Sequence, residues 1–334
     1  MKILVIRAGA LGDTIFATAV IDCLRKHFGE DTRIDWLGNP LAKGLFAKDH
    51  RINTVFTIKS RKLATLFNVP KLKMLAHAQK APYDLVVNLE NSKSFRRFVN
   101  YIAARKAIHI GDVEIDTSEV HAVEHMLASL ALASVEDTNG FPRLIGDELS
   151  HVKAKFNLPE RYVVFHPANS HSDKTDYRSY RSWPLPHWRS LIELSTKDIP
   201  VVLVGTDEEK AYLSEFLNGL GTDVIDLLGK SNLPELIAVL QGAKAVVTTD
   251  TGPSHMAAAA GAPTVALFGP SDPKGTAPYS CKFNTVHIAS INIECSPCSH
   301  TERFKTCKNN RCMKQLHPEM VLDIISPYIS QSSH

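Results

Sequence analysis

The side chains with the clearest chemical potential stand in residues 250–255, which read DTGPSH. An apolar run precedes them, and an alanine-rich stretch follows in which Ser254 can cap a new helix. A helix N-terminus at a strand end offers free backbone N–H groups and a positive dipole end, which suit a phosphate or pyrophosphate. The segment therefore predicts an anion-binding loop, and its candidate contact residues are Asp250, Thr251, Gly252, Ser254 and His255.

A second carboxylate of interest is Asp13, which follows a strand pattern at residues 2–7 and a small-residue loop at 8–12. One interpretation is a helix N-cap that accepts N–H bonds from the first turn. The other is a general base, since a carboxylate held ionised at a helix N-terminus can remove a proton at neutral pH. The two interpretations are compatible. Gly9 and Gly12 do not make the GxGxxG spacing of dinucleotide folds, which weighs against a nicotinamide cofactor.

A long polar loop follows the predicted strand at residues 162–165 and opens with HPANS. Polar loops at strand ends carry ligand sites in α/β folds. Three cations in this one loop favour anion binding over solvated side chains. They are Lys174, Arg178 and Arg181.

Two acidic side chains follow the next predicted strand, at residues 199–204. Asp207 and Glu208 stand where a doubly wound fold places the acceptor of a ribose hydroxyl, and helix capping is their alternative role. A further strand leads into GKSNLPEL, in which Ser231 or Asn232 would cap a helix.

These loops require a framework of strands and helices, and the chain alternates the two throughout. Short apolar runs such as LVVNL are typical of open parallel sheets, so both halves are predicted to be α/β. A chain of 334 residues fits two domains of roughly 150 residues each. The predicted domains are 1–155 and 156–316, joined through a polar, proline-containing stretch at 141–161, with a final helix in 317–334.

Composition narrows the class of protein. With 44% hydrophobic and 22% charged residues the chain is typical of globular proteins, and a net charge of +3 does not demand nucleic acid as a partner. No apolar run approaches the roughly 20 residues of a membrane span, and the first five residues read as a strand instead of a signal peptide. The expected location is cytoplasmic.

Positive charge is concentrated in residues 59–106, where eleven Lys or Arg stand against Asp84 and Glu90. Solvated helix faces are one explanation. The interleaved leucines also suit an anionic, lipid-bearing partner at a membrane surface, and the aromatic pattern of nucleic-acid binders is missing. The candidate acceptor contacts are Lys59, Arg61, Lys62, Arg96 and Arg97.

Four of the six cysteines cluster near the end of the chain in CSPCSHTERFKTCKNNRC. The first pair has the spacing of half a zinc site, whereas the second pair is less regular. Reduced, packed thiols are the alternative, because a bare CxxC is a weak signal for zinc without a matched pair. The candidate zinc ligands are Cys295, Cys298, Cys307 and Cys312.

Five motifs distributed over both halves carry a resemblance. They are LGD after the first strand, HPANS with a helix opened by WP, GTDEE, GKSNL, and DTGPSH followed by AAAAGAPTVALFGPSDP. Together they resemble family 9 glycosyltransferases, the bacterial lipopolysaccharide heptosyltransferases. The resemblance implies a GT-B architecture of two Rossmann-like domains with parallel sheets facing across a cleft, and a final helix after Pro318 that crosses back onto the first domain.

The same resemblance implies an inverting transfer of heptose from ADP-heptose to an acidic sugar, Kdo on lipid A or an inner-core heptose. No cofactor is required, and transient contact with the inner membrane's cytoplasmic face is expected. Asp13 matches the family's proposed general base. The positions that match or adjoin its donor contacts are Asn169, Ser170, Lys174, Arg181, Asp207, Ser231, Asp250, Thr251, Gly252, Ser254 and His255.

Two other functions remain open from the residues. A GT-B transferase or epimerase using a UDP-sugar would share the fold but bind uridine nucleotides. A non-catalytic binding or scaffold protein could retain the fold, with Asp13 or Asp250 outside any site.

Overall fold

The structure is a computed structural model that describes residues 1–59, 69–174 and 176–330. The chain forms two compact units, Met1–Ile145 and Gly146–His334. The predicted acceptor contacts Arg61 and Lys62 lie outside the described residues, as does the side chain of Arg178.

The first unit is built on a five-stranded sheet. Its strands are β1 (Lys2–Arg7), β2 (Arg33–Gly38), β3 (Ile52–Thr57), β4 (Tyr83–Asn88) and β5 (Ala104–His109). Its helices are α1 (Leu11–Ala17), α2 (Ala19–Phe28), α3 (Leu41–Leu45), α4 (Val69–Lys80), α5 (Lys93–Val99) and α6 (Ala122–Ala128), with 3₁₀ turns at Ile110–Asp112 and Ser129–Ala133. The strands pair in parallel in the order β3-β2-β1-β4-β5.

The central strand β1 is apolar because it is buried, and it lies beside the place where a ligand crevice can form. Residues 3–6 of β1 are fully buried, as expected for a strand covered on both faces by helices. The chain order reverses between β1 and β4, which makes that place a topological switch point. Loops diverge there beyond the carboxyl ends of the strands and leave a crevice, the usual ligand position in open α/β sheets.

The second unit repeats the design with six strands. They are β6 (Val163–His166), β7 (Val201–Leu203), β8 (Val224–Asp226), β9 (Val246–Thr249), β10 (Thr264–Leu267) and β11 (Val286–Ala289). The helices are α7 (Leu149–Phe156), α8 (Leu185–Ser195), α9 (Asp207–Tyr212), α10 (Ser214–Leu217), α11 (Leu233–Gln241), α12 (Gly252–Ala259), α13 (Pro273–Thr276), α14 (Glu302–Thr306), α15 (Arg311–Lys314) and α16 (Pro318–Ile329), with a 3₁₀ turn at Tyr177–Arg181.

The strand order of the second unit is β11-β10-β9-β6-β7-β8, with parallel pairing throughout. Its switch point therefore lies between β6 and β9. The loops that leave these two strands are the HPANS loop and the DTGPSH loop, so strand order brings both predicted anion-binding segments to one crevice.

The final helix belongs to the second unit in this structure. Val321, Ile325 and Ile329 of α16 are buried in the same hydrophobic core as Trp188 of α8. Trp183 Nε1 also donates a hydrogen bond to the carbonyl of Leu316, just before the helix, at 2.8 Å. The sequence predicts that residues 317–334 cross back to the first domain; the described contacts are those that bury the apolar face of α16 in the core of the second unit.

The boundary between the units falls ten residues earlier than the predicted 155/156. Helix α7 is the reason, since it packs against α11 of the second unit. The Asp147 N–H donates to the carbonyl of Pro234 at 3.0 Å, and Lys155 Nζ contacts Glu235 Oε1 at 2.6 Å. Across the described ranges, the structure contains no helix with the length and apolar character needed to span a membrane.

Candidate active site

Asp13 is the third residue of α1, directly beyond the carboxyl end of β1. Its Oδ2 accepts a hydrogen bond from the Ala10 N–H at 2.9 Å, and its Oδ1 accepts one from Arg7 Nη2 at 2.7 Å. The predicted N-cap role is wrong, because Ala10 is the cap and α1 begins at Leu11. The side chain is 39% exposed, so the carboxylate is oriented by two donors and still reachable from solvent.

Close packing and a shared arginine support this orientation. A Cβ at Gly9 would lie 2.4 Å from Asp13 Oδ2, so the approach of the carboxylate to this backbone requires glycine. Arg7 Nη1 donates to the carbonyl of Leu89 at 2.6 Å and lies 4.0 Å from Glu90 Oε1. The guanidinium therefore connects Asp13 with the residues that follow β4, across the switch point of the first unit.

The predicted anion-binding loop joins β9 to α12 in the second unit. Thr251 is the N-cap residue and Gly252 begins the helix, so the predicted cap Ser254 is instead its third residue. Ser254 is buried and its hydroxyl donates to the Thr251 carbonyl at 2.7 Å. His255 is also buried, whereas Thr251 and Gly252 are partly exposed. The backbone at the start of α12 is thus the part of this loop that an anion can approach.

A buried histidine ties together the loops around this crevice. His166, the last residue of β6, places Nδ1 3.2 Å from Thr248 Oγ1 and Nε2 3.2 Å from Glu209 Oε2. Glu209 also accepts a hydrogen bond from the Thr206 N–H at 2.8 Å. Burial opposes ionisation of Glu209, but the hydrogen bonds from His166 and Thr206 prevail and hold its pKa below the ordinary value. The network links the ends of β6, β7 and β9.

Two of the predicted donor contacts meet directly. Arg181 Nη1 lies 3.6 Å from Asp250 Oδ2, and the Asp250 side chain is only 10% exposed. The 3₁₀ turn that ends at Arg181 therefore delivers a cation to the start of the anion-binding loop. A guanidinium here has further N–H donors that can bind phosphate.

Three other predicted contacts from the long loop line a cavity of about 590 Å³, together with residues of the β7–α9 segment. Asn169 is buried and its Nδ2 donates to Ser182 Oγ at 2.9 Å, so its side chain shapes the loop from within. Ser170 is exposed, and Lys174 pairs with the neighbouring Asp173 at 2.6 Å. Of the three, Asn169 is buried, Ser170 is exposed and Lys174 is partly exposed.

The predicted nucleoside contacts lie beside one another. Asp207 is the exposed first residue of α9, and Thr206 supplies the helix cap, so capping does not occupy Asp207. A Cβ at Gly229 would lie 1.9 Å from Asp207 Oδ1, which places the carboxylate against the turn that leads to Ser231. The cap of α11 is Asn232, which leaves the partly exposed Ser231 outside that role.

The predicted basic surface of the first unit is reduced in the structure. Lys59 and Arg97 are exposed, and Arg96 is exposed but forms an ion pair with Asp112. Lys71 is 3% exposed, packs over the rings of two phenylalanines, and has its pKa lowered by burial. Part of the charge counted in residues 59–106 therefore serves packing and pairing.

The four clustered cysteines line one cavity of about 150 Å³ in the second unit. They are Cys295, Cys298, Cys307 and Cys312, and all are free thiols. Burial raises the pKa of Cys298, and it raises that of Cys312 to about 11. Within the part of the chain that is described, no three His, Cys, Asp or Glu side chains are arranged to hold a metal ion. The cysteines are neighbours in a thiol pocket.

Two Rossmann-like units with parallel sheets, each with polar loops at its switch point, form the GT-B fold, which confirms the predicted fold class. The family model for glycosyltransferase family 9 (heptosyltransferase) matches residues 103–308, more than half of the chain. The chain belongs to this family and is a glycosyltransferase.

Individual relatives agree with this assignment. Lipooligosaccharide heptosyltransferase 2 of Haemophilus ducreyi is 24% identical over 304 residues, which cover 84% of this chain and 86% of that protein. A family 9 glycosyltransferase from Veillonella parvula superposes with a TM-score of 0.80 at 18% identity, covering 99% of this chain and 98% of that one. ADP-heptose lipopolysaccharide heptosyltransferase II of E. coli gives 0.76 at 21% identity and 99% coverage of both.

Several residues that shape these crevices are absent from the predicted site. Four of them are each the last residue of a strand: Arg7, Asn88, His109 and His166. The fifth, Glu90, stands two positions after Asn88. A polar side chain that closes an otherwise apolar strand was the available signal, because the carboxyl ends of parallel strands share one edge. That pattern points to the first unit's crevice as well as to the second's.

Proposed function

We propose that this protein is an inverting heptosyltransferase that moves heptose from ADP-heptose to an anionic sugar of the lipopolysaccharide inner core, Kdo or heptose. The observation that carries the proposal is Asp13, a solvent-reachable carboxylate oriented by Arg7 and the Ala10 N–H at the switch point of its sheet. Membership of the heptosyltransferase family and the ADP-heptose named for the E. coli enzyme support the donor.

In the proposed reaction Asp13 is the general base. It removes the proton from an acceptor hydroxyl while that oxygen attacks the anomeric carbon of heptose, on the face opposite the leaving ADP. The bond to ADP breaks as the new glycosidic bond forms, so the anomeric configuration inverts. Arg7 orients the Asp13 carboxylate towards the acceptor hydroxyl and compensates the negative charge of the carboxylate until it takes up the proton.

The second unit supplies the donor contacts in this proposal. Backbone N–H groups at the start of α12, together with Arg181, offset the negative charge that grows on the diphosphate. The Asp207 carboxylate accepts hydrogen bonds from the ribose hydroxyls, and the turn at Ser231 contacts adenine. Lys174 and Ser170 are further phosphate contacts in the 590 Å³ cavity.

The acceptor is proposed to be lipid-borne, so the protein would work at the cytoplasmic face of the inner membrane through transient contact. The exposed cations Lys59 and Arg97 are suited to the anionic lipid surface, where each basic side chain contributes about 1 kcal/mol. Raising the salt concentration should then weaken vesicle binding, since such contacts are screened.

The experiment uses purified protein, ADP-heptose and a panel of defined core acceptors, with products identified by mass. Transfer of one heptose to an anionic acceptor is expected. Thermal shift measurements with ADP and with UDP distinguish the proposed function from a UDP-sugar enzyme, because ADP should raise the Tm and UDP should not. The proposal would be overturned if UDP raises the Tm and ADP does not, or if no acceptor yields a heptosyl product.

A further inference from the structure

The thiol pocket of the second unit, the cavity of about 150 Å³ lined by four cysteines, is not used by the transfer reaction proposed above. Its other walls combine aromatic side chains with two guanidinium groups. The remaining lining residues are Tyr180, Pro270, Arg303, Phe304, Thr306, Asn310 and Arg311. Because all four thiols are free and border one cavity, the pocket gathers four oxidisable sulfurs in one place.

Contacts within the pocket show that the sulfurs are close to one another. The Asn310 N–H donates to Cys307 Sγ at 3.4 Å, and Cys312 Sγ donates to Asn310 Oδ1, also at 3.4 Å. Besides burial, the neighbouring Cys295 and Cys307 raise the pKa of Cys298, as like charges do at short range. The four cysteines therefore form one cluster and not two separate pairs.

Cys295 and Cys298 are the pair best suited to form a disulfide. Two residues separate them, which is the spacing of thiol–disulfide centres. Both are partly exposed, whereas Cys312 is only 7% exposed, so an oxidant reaches this pair more readily. Arg303 also lines the cavity, and its positive charge favours the thiolate form of Cys298 and so partly offsets the effect of burial.

This pair is docked on the loop that leaves β10. The Cys298 N–H and the Ser299 N–H both donate to the carbonyl of Pro270, at 2.8 and 2.7 Å. The loop has no spare room on its inner side, since a Cβ at Gly269 would lie 3.1 Å from Cys312 Sγ. A bond between Cys295 and Cys298 would therefore pull on backbone that is already packed against this loop.

The pocket also supports the 3₁₀ turn that carries Arg181. Tyr180 donates its hydroxyl hydrogen to the carbonyl of Cys307, and its ring meets Phe304 edge-on with centroids 6.1 Å apart. The next residue, Arg181, places Nη1 3.6 Å from Asp250 Oδ2. A rearrangement of the cysteine segment is thus transmitted through Tyr180 to the cation assigned above to the diphosphate.

We propose that the thiol pocket is a redox modification site, in which hydrogen peroxide converts Cys295 and Cys298 into a reversible disulfide that weakens binding of the nucleotide donor. One thiolate attacks a peroxide oxygen, the O–O bond breaks, and a sulfenic acid forms while the departing hydroxide takes up the proton that the thiol released. The second thiolate attacks this sulfur, so the S–O bond breaks, the S–S bond forms and water leaves. An electron pair passes from the two sulfurs to the peroxide. Disulfides between partly exposed cysteines are labile, so a thiol reductant restores the starting state.

Peptide mapping tests the disulfide directly. The protein is treated with hydrogen peroxide, its free thiols are alkylated, and it is digested with trypsin. Residues 283–303 form one tryptic peptide that contains Cys295 and Cys298 and no other cysteine. This peptide should escape alkylation, weigh two hydrogen atoms less than its reduced form, and become alkylated after dithiothreitol. The matched control is Cys281→Ser, because Cys281 is also partly exposed but does not line the cavity.

ADP affinity, measured by calorimetry, tests the coupling to the donor site. Oxidation should raise the Kd of ADP about 10-fold in the wild type and in Cys281→Ser, as expected for the loss of one charge-assisted contact. Dithiothreitol should restore the original Kd. In Cys298→Ser the disulfide cannot form, so peroxide should change the Kd by less than about 2-fold.

Three results would overturn the redox site. They are alkylation of both cysteines after peroxide treatment, a disulfide that instead links the tryptic peptides 306–308 and 312–314, and stoichiometric zinc in the purified protein that blocks oxidation. An unchanged Kd of ADP in protein with the mapped disulfide would overturn its effect on the donor. That effect rests on the proposed function. If the reduced wild type binds no ADP, the proposed function fails, and peptide mapping still decides whether the disulfide forms.

Discussion

Replacing Asp13 with asparagine is the sharpest perturbation of the proposed mechanism. Asparagine has nearly the same shape and can still accept one of the two hydrogen bonds, from Ala10 N–H or from Arg7, but it cannot take up a proton. The surrounding loop has no reason to rearrange, since the contact with Gly9 depends on size and not on charge. The change therefore separates the chemistry of Asp13 from its structural role.

The structure sets different magnitudes for stability and for catalysis. Arg7 and Asp13 are 16% and 39% exposed, and ion pairs with this exposure contribute about 1 kcal/mol or less to folding. A general base contributes about 100-fold to 10,000-fold to turnover, equivalent to roughly 2.7–5.5 kcal/mol of barrier. Asp13→Asn should consequently lower kcat at least 100-fold while shifting urea unfolding by about 1 kcal/mol or less.

The assay is ADP release from ADP-heptose with an acceptor, alongside product mass and ADP affinity. Asp137→Asn is the matched control, because Asp137 is also 39% exposed and paired with a cation, Lys26, in the same unit. The control should keep wild-type kcat. If Asp13→Asn retains more than about a tenth of wild-type kcat, or loses turnover only in proportion to ADP affinity, Asp13 is not the base.

Three further predictions concern single contacts. Gly9→Ala should lower kcat about 10-fold or more with ADP affinity retained, because its Cβ would lie 2.4 Å from Asp13 Oδ2; steady-state kinetics and ADP titration check this. Arg51→Met should lower the free energy of unfolding by about 3–5 kcal/mol in urea, since it leaves the buried Asp49 carboxylate without its bidentate partner. Unchanged midpoints would contradict that cost. His166→Gln should reduce the fall in the free energy of unfolding between about pH 5 and 3. In the wild type, ionised Glu209 contributes stability above its unfolded pKa of about 4.3, and this contribution is lost as the pH falls through its lower folded pKa.

Much of the fold could be predicted from the residues. Runs such as KILVIR in the first unit and TVAL in the second, separated by helical stretches, give the two parallel sheets because burial on both faces demands continuous apolar strands. The domain boundary and the place of α16 could not be predicted in the same way. Both depend on which core buries an amphipathic helix, and the helix's own pattern shows only that one face is apolar.

The candidate site likewise has features that could be predicted from the sequence and features that could not. The sequence alone predicted the DTGPSH loop, Asp13 and Asp207 as site candidates and indicated the family, because strand ends, helix starts and motifs depend on residues a few positions apart. Only the tertiary structure decided that Glu90 meets Ala8, and that His166 meets Thr248, each pair 82 positions apart. Lateral strand order creates these contacts at the switch points, and no local pattern encodes which strand lies beside which.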